Sequence, residues 1–384
     1  MNKHQGEDVY YKHSRNTKPD YSSVQLAFFR MSNLTEHEFH DVVISMTKRI
    51  KKLFVSYESS DIICAKIHSI TEWNQKLVES TNVIILRYHI PSRSIFIAIN
   101  HEVVGGGDYL LLGSVMFNGY TNSLIQEPNM KLWKDYLFTT YLKLKFKLFV
   151  LRNIYFKTAR VRSSQETILQ SKIDILKIRR DDCKTKYALV YTIMKNIIGS
   201  LPITTDDLVC WLPVGFKKTE SSPNNNVGII PFCFTRKTTL LELATILDDS
   251  KNLCIGSRQA LIESYQEPSN VTDSVNTESC IKSKIDVVLT LANIMHLDDS
   301  NDGLCLTDAC AGMYYKMNST IGYPFYVFGL VMNDIAHISY SINDKECDIP
   351  TLKTTTRAID VTNDHVFRVN NVTTDACDIE LDFI

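Results

Sequence analysis

Apolar residues recur along the chain with two periods. In "LTEHEFHDVVISMTKRIKKLF" (34–54) they fall at 39, 42, 43, 46, 50, 53 and 54, close to the repeat of a helix with one buried face. Thr35 followed by Glu38 has the spacing of a capping box, so the helix is expected to begin there. The period then drops to two. "NVIILRYHI" (82–90) and "SIFIAIN" (94–100) are rich in β-branched and aromatic residues and are separated by "PSR", which predicts a hairpin. In its second strand Ile95, Ile97 and Ile99 share one face, and Phe96, Ala98 and Asn100 the other. His101 stands at the strand's end.

The segment after that strand is unusual for this chain. Three of its 14 glycines stand together at Gly105, Gly106 and Gly107. They can take positive φ or let another backbone approach closely. Asp108 reads as the cap of a helix through "YLLLGSVMF". A strand, a histidine, a glycine bend and a capped helix hold one side chain at a defined point.

Further along, "KYALVYTIMKNIIGSL" (186–201) reads as a helix and "DLVCWLPVGFK" (207–217) as a strand. "VGIIPFCFT" (227–235) is another strand, followed by a capped helix in "TTLLELATILDDSKN" (238–252). Residues 266–283 are polar and of low complexity, and "PFYVFGLVM" and "HISYSIND" read as two late strands. Between 160 and 185 charge dominates and no core pattern is evident. The expected class is therefore α/β, with an N-terminal subdomain over 1–160, a crossover over 161–185 and a C-terminal subdomain over 186–384.

Composition narrows the function. The chain has 384 residues and a net charge of −1, which argues against a nucleic-acid binder. Ten cysteines are scattered and none forms a C-x-x-C pair, as expected of reduced thiols in a cytoplasmic protein. The first residues carry no apolar core that would make a secretory signal. No window reaches the ~18 apolar residues of a membrane span. The nearest is 132–157, inside a stretch (131–162) with nine Lys or Arg and one acid, Asp135. That segment has two readings: a contact with an anionic membrane surface, or a partly buried helix whose lysines reach outward.

Most motif matches fail on chemistry. "HLDDSNDG" (296–303) has the start of a calcium loop, but Ala309 stands where a bidentate glutamate is required. "VVGGGD" lacks the G-K-[ST] ending of a phosphate loop, and no G-x-S-x-G elbow is present. His37 and His40 lie one helical turn apart with no second cluster to join them, so no metal is expected. On the residues alone, His101 is either structural or catalytic.

The order of segments resembles the CoA-dependent acyltransferase superfamily that includes chloramphenicol acetyltransferase, condensation domains and wax ester synthases. Its signature is H-H-x-x-x-D-G after a strand. Here Asn100 takes the place of the first His, His101 that of the second, Gly105 that of the Asp, and Gly106 matches the Gly. "CWLPVGFK…NNNVGIIPFCF" is similar to the family's strand–loop–strand, with Asn226 and Gly228 near its Gly-Asn pair. "MNSTIGYPFYVFGLVMNDIAHISYSIND" is similar to its C-terminal region through Asn318, Gly322, Pro324, Gly329, Ser339 and Tyr340.

The resemblance implies two similar subdomains, each a mixed β-sheet flanked by helices, with a site at their interface and a tunnel between acyl-CoA and acceptor. It implies acyl transfer from acyl-CoA, the co-substrate, to a hydroxyl or amine of a small molecule or lipid, with His101 as general base and no metal. Substrate contacts would fall to Gly105, Gly106, Gly107, Asn226, Ser339 and Tyr340, and structural roles to Asp108, Asn318 and Gly322. Gly105 cannot make the family's Asp–Arg pair. A non-catalytic binding, scaffold or peripheral membrane protein of the same fold therefore stands as the alternative.

Overall fold

The computed structural model describes residues 23–32, 34–53, 62–68, 83–100, 112, 115–116, 120–121, 124–125, 133–156, 168–169, 171–179, 187–200, 207–216, 227–266, 284–295, 305–316, 325–332, 335–343 and 353–355. The predicted capping box forms. The Thr35 N–H donates to Glu38 Oε2 at 2.7 Å, and the Glu38 N–H donates to Thr35 Oγ1 at 3.3 Å. They open helix α1 (Glu36–Leu53), which buries Phe39, Val43, Met46 and Ile50.

Six strands make the first sheet: β1 (Ser23–Ser32), β2 (Ile62–Lys66), β3 (Ile84–His89), β4 (Ser94–Asn100), β7 (Ile168–Leu169) and β12 (Cys305–Lys316). Their order is β2-β3-β4-β1-β12-β7. The predicted hairpin is β3–β4, paired antiparallel from Ile84–Ile99 to His89–Ser94. Ile95 through Ile99 are all buried, so both faces of β4 are covered. Thr47 of α1 donates to Cys64 Sγ of β2 at 3.2 Å, which ties the helix to this sheet.

The second sheet is built on β8 (Ser171–Arg179), β9 (Asp207–Phe216), β10 (Val227–Thr235), β11 (Val287–Met295), β13 (Phe325–Met332), β14 (Ile335–Asn343) and β15 (Lys353–Thr355). It runs β10-β9-β11-β13-β14-β8-β15, and two short strands, β5 (Tyr120–Thr121) and β6 (Leu124–Ile125), add to β11 and β9. Both sheets mix parallel and antiparallel pairs. The chain is thus mixed α/β with two mixed sheets and flanking helices.

Two of these strands lie where the sequence showed only charge. β7 and β8 occupy the expected crossover, with β7 in the first sheet and β8 in the second, hydrogen-bonded between β14 and β15. Their partners lie far away along the chain, so no local period announces them. β12 comes from the C-terminal half yet adds to the first sheet along the whole of β1. It also packs against β13, β14 and β8 of the second, so it lies where the two sheets meet.

Side-chain alternation in β9 and β10 divides the core of the second sheet. Val209, Trp211 and Ile229 face α2 (Trp133–Val150), the π-helical turn after it (Leu151–Tyr155) and α5 (Leu253–Gln266). Leu208, Cys210, Leu212 and Val214, with Ile230, Phe232 and Phe234, face helices α3 (Ala188–Ser200) and α4 (Leu240–Ser250). Thr239 caps α4 in a second capping box with Glu242. Residues 133–155 are therefore helical, with one face buried.

α2 and α5 meet backbone to backbone. A Cβ at Gly256 would strike the Leu142 carbonyl and the Lys143 nitrogen. An exposed helical glycine changed to alanine gains about 0.5–1 kcal/mol; here the clash should reverse the sign. Gly256→Ala is expected to lower unfolding free energy by about 1–3 kcal/mol in urea titrations, and a gain in stability would contradict the crossing.

Burial pushes the Cys254 thiol up from 9.0 to about 12, and burial followed by the neighbouring Asp248 raises the Tyr187 phenol as well. Above the ordinary thiol range the unfolded chain has released the Cys254 proton and the folded chain still holds it. Stability is then lost as pH rises from 9.0 toward 12. Unfolding curves taken between pH ~8 and ~11 should show that decline, with a shallower slope in Cys254→Ala.

Candidate functional site

β4 is an internal strand, held by β3 on one side and β1 on the other. At its end the Asn100 N–H donates to the Val83 carbonyl at 3.0 Å, and Asn100 lies opposite Val24 of β1. His101, Gly105, Gly106, Gly107 and Asp108 come next and lie outside the described residues. The chain returns as helical positions at Leu112 and Met116, both buried, and then enters the second sheet.

That entry is a wedge. β9 and β11 pair in parallel only at Cys210–Val287 and Trp211–Val288. Beyond that point β6 takes the edge of β9, at Gly215 and Phe216. β5 takes the edge of β11, at Ile294 and Met295. Residues 120–125 thus part the two strands. After β4 the chain next enters a sheet at β5 and β6, which close the gap in the second sheet.

Asp286 stands just before the parting. It is buried. Its carboxyl Oδ2 accepts the Val209 N–H at 2.7 Å while its own N–H donates to the Val209 carbonyl at 2.9 Å. One residue therefore grips both backbone groups of Val209 where β9 and β11 are still together. Sequence reading passed over it, although an acid opening the apolar run "DVVLTLANIM" was the available signal.

The opposite edge of β9 is lined by β10. Asn226 lies outside the described residues; the next residue, Val227, is opposite Gly215, which is opposite Leu124 of β6. A Cβ at Gly228 would strike the Cys254 carbonyl and the Phe216 ring, so this glycine is required by the approach of α5. The outer edge of β10 is closed by Ser257. The Ile229 N–H donates to Ser257 Oγ at 2.6 Å, and the hydroxyl donates toward the Ile229 and Cys254 carbonyls at 3.0 and 2.9 Å.

Ser339 and Tyr340 lie within β14. Ser339 is opposite Phe328 of β13 and Ile175 of β8, and Tyr340 is opposite Val327 and Asp174. Phe328 is in turn opposite Thr290, four residues before Ile294, where β5 joins. Ser339 is therefore a mid-sheet residue, away from the strand ends at the wedge. His337 on the same strand is buried and was not singled out in the sequence. Asn318 and Gly322, between β12 and β13, lie outside the described residues.

Among the described residues no group of three His, Cys, Asp or Glu could hold a metal ion. His37 instead meets Asp41 at 3.1 Å on the exposed face of α1. Cys64 and Cys254 are free thiols. The elevated Cys254 is protonated at neutral pH and is a poor nucleophile.

The chain is similar in structure to the cyclization–docking bidomain of the EpoB nonribosomal peptide synthetase from Sorangium cellulosum, with a TM-score of 0.50 and 9% identity over 88% of this chain and 80% of that one. It is also similar to trichothecene 15-O-acetyltransferase from Fusarium sporotrichioides, at 0.48 and 8% identity over 88% of this chain and 90% of that one. A third similar structure is a variant of the starter condensation domain of the rhizomide synthetase in complex with C8-CoA and Leu-SNAC, at 0.44 and 9% identity over 88% of each chain. No protein-family model and no curated protein matches. At these identities the shared property is the fold. The chain has a mixed α/β fold with two mixed sheets, similar to that of the EpoB cyclization–docking bidomain.

The grip on Val209 gives a local test. Asp286→Ala removes the acceptor of a buried N–H and should cost about 1.5–3 kcal/mol in chemical denaturation. Asp286→Asn keeps an oxygen in that position and should cost less. Equal losses in the two variants would mean that the hydrogen bond is not what holds β9 to β11.

Proposed function

We propose that the protein transfers an acyl group from acyl-CoA to a hydroxyl or amine acceptor, with His101 as general base. The supporting observation is topological: the segment that begins with His101 leaves the end of an internal strand of one sheet and reaches the parting of β9 and β11 in the other. In this reading the acyl-transfer site lies between the two sheets. In the same reading the chain divides into subdomains at 161–185, with β12 returned to the N-terminal sheet.

The reaction follows from the chemistry of the residues. Neutral imidazole takes the proton of the acceptor as its oxygen or nitrogen attacks the thioester carbonyl. The new bond to carbon forms, the carbon–sulfur bond breaks, and the proton passes from the imidazolium to the departing CoA sulfur. Gly105, Gly106 and Gly107 carry no side chains, so the thioester can approach the backbone closely. Asn226 would contact substrate, and Asp108, Asn318 and Gly322 would shape the surrounding loops.

A second reading is favoured by one feature of the chain. Gly105 stands where the family signature has an aspartate, and Asn100 where it has its first histidine. A chain that kept the fold and lost the reaction would serve as a binding or scaffold protein.

Release of free CoA thiol from a panel of acyl-CoAs, offered alcohols and amines, separates the two. Acyl transfer by the wild type is expected, with turnover in His101→Ala lower by ~10²–10⁴-fold and acyl-CoA binding retained. Unchanged turnover in the variant would refute the general-base role. No transfer by the wild type with any pair would favour the second reading.

A further inference from the structure

Helix α2 has two apolar faces with opposite surroundings. One buries Thr139, Leu142 and Phe146 against the second sheet. The other is open. Trp133, Leu137, Tyr141, Leu144 and Leu148 are all exposed. At about 100° per residue they fall within an arc of about 80°, diametrically opposite the buried side. The exposure is large: Trp133 73%, Leu144 56% and Leu148 53%, with Phe156 beyond the π-helical turn at 79%. Among the described residues, ten of the thirteen exposed large hydrophobic side chains lie between 133 and 156. Single exposed apolar residues are ordinary, but a contiguous patch marks a contact surface.

Charge selects what the surface contacts. Lys134 and Lys145 border the apolar stripe on one side and Lys147 on the other, with Arg152 following in the π-helical turn; all four are exposed. Asp135 is the one acid on α2. Lys143 points elsewhere, to Glu263 at 2.7 Å. A second copy of this face would bring cation against cation across the seam. An anionic lipid surface accepts both components: headgroups meet the cations, and leucines enter the acyl boundary. Trp133, Tyr136, Tyr141 and Tyr155 have the apolar body and polar tip suited to that depth. Among the described residues no helix is long and apolar enough to cross a membrane, so α2 would lie along the surface.

We propose that the outer face of α2 is a docking surface for an anionic membrane. The inference rests on exposure and charge and is independent of acyl transfer, so its test reads binding and not turnover. The full chain would be sedimented with phosphatidylcholine vesicles and with vesicles containing ~30% phosphatidylserine. Binding to the anionic vesicles is expected. It should be ~10-fold or more weaker with the neutral vesicles, in high salt, and in Lys134→Gln/Lys145→Gln/Arg152→Gln. Leu144→Gln/Leu148→Gln alters exposed positions only, so the variant should keep the wild-type unfolding curve and lose binding. Absence of binding to anionic vesicles by a monomeric wild type would overturn the proposal. Equal binding to both kinds of vesicle would also overturn it. So would self-association that the leucine variant abolishes, without vesicle binding, because the face would then belong to a second copy.

Discussion

Much of the architecture depends on how closely α5 can approach its neighbours. The helix is seated between α2 and the edge strand β10, and on both sides the contact is made by backbone. Gly256 meets the carbonyl of Leu142, and Gly228 meets the carbonyl of Cys254. Either Cβ would push the helix off its seat. With the helix down, Ser257 satisfies the outward N–H and carbonyl of Ile229, so a strand edge that would otherwise be open to pairing is closed. The same seat holds α2 flat against Trp211 and Val209 and turns its other face outward.

The two sheets are joined by exchange of chain as well as by packing. β12 lends the first sheet a strand from the C-terminal half, and β5 and β6 lend the second sheet two short strands from the N-terminal half. In each exchange, backbone hydrogen bonds join strands from the two halves of the chain into one sheet. The parting of β9 and β11, with Asp286 gripping Val209 just before it, is the structural condition for that insertion.

Local pattern was read well where an element is stabilised by its own neighbours in sequence. Thr35 and Thr239 cap helices three residues ahead of Glu38 and Glu242, a contact within one turn. The β3–β4 hairpin closes over a short turn, and β10 spans the residues its apolar run predicted, Val227–Thr235. The resemblance likewise rested on short motifs and led to the observed fold. β8 was missed because its support comes from β14 and β15, more than a hundred residues away. α5 was missed for a related reason: its seat depends on two glycines that look like helix and strand breakers when read alone.

The sequence by itself determined many of the helices and strands, the buried face of α1, the strands of the β3–β4 hairpin, and the order of motifs that points to this fold. These follow from side-chain periods of 3.6 and 2, which any stretch of chain expresses without distant help. The tertiary structure alone decided which strands share a sheet, where β9 and β11 part, and which side of α2 is left exposed. α2 carries apolar residues on two opposite faces, so its sequence could not choose which to bury. The choice fell to the backbone crossing at Gly256, because only one orientation brings Leu142 against a residue with no side chain.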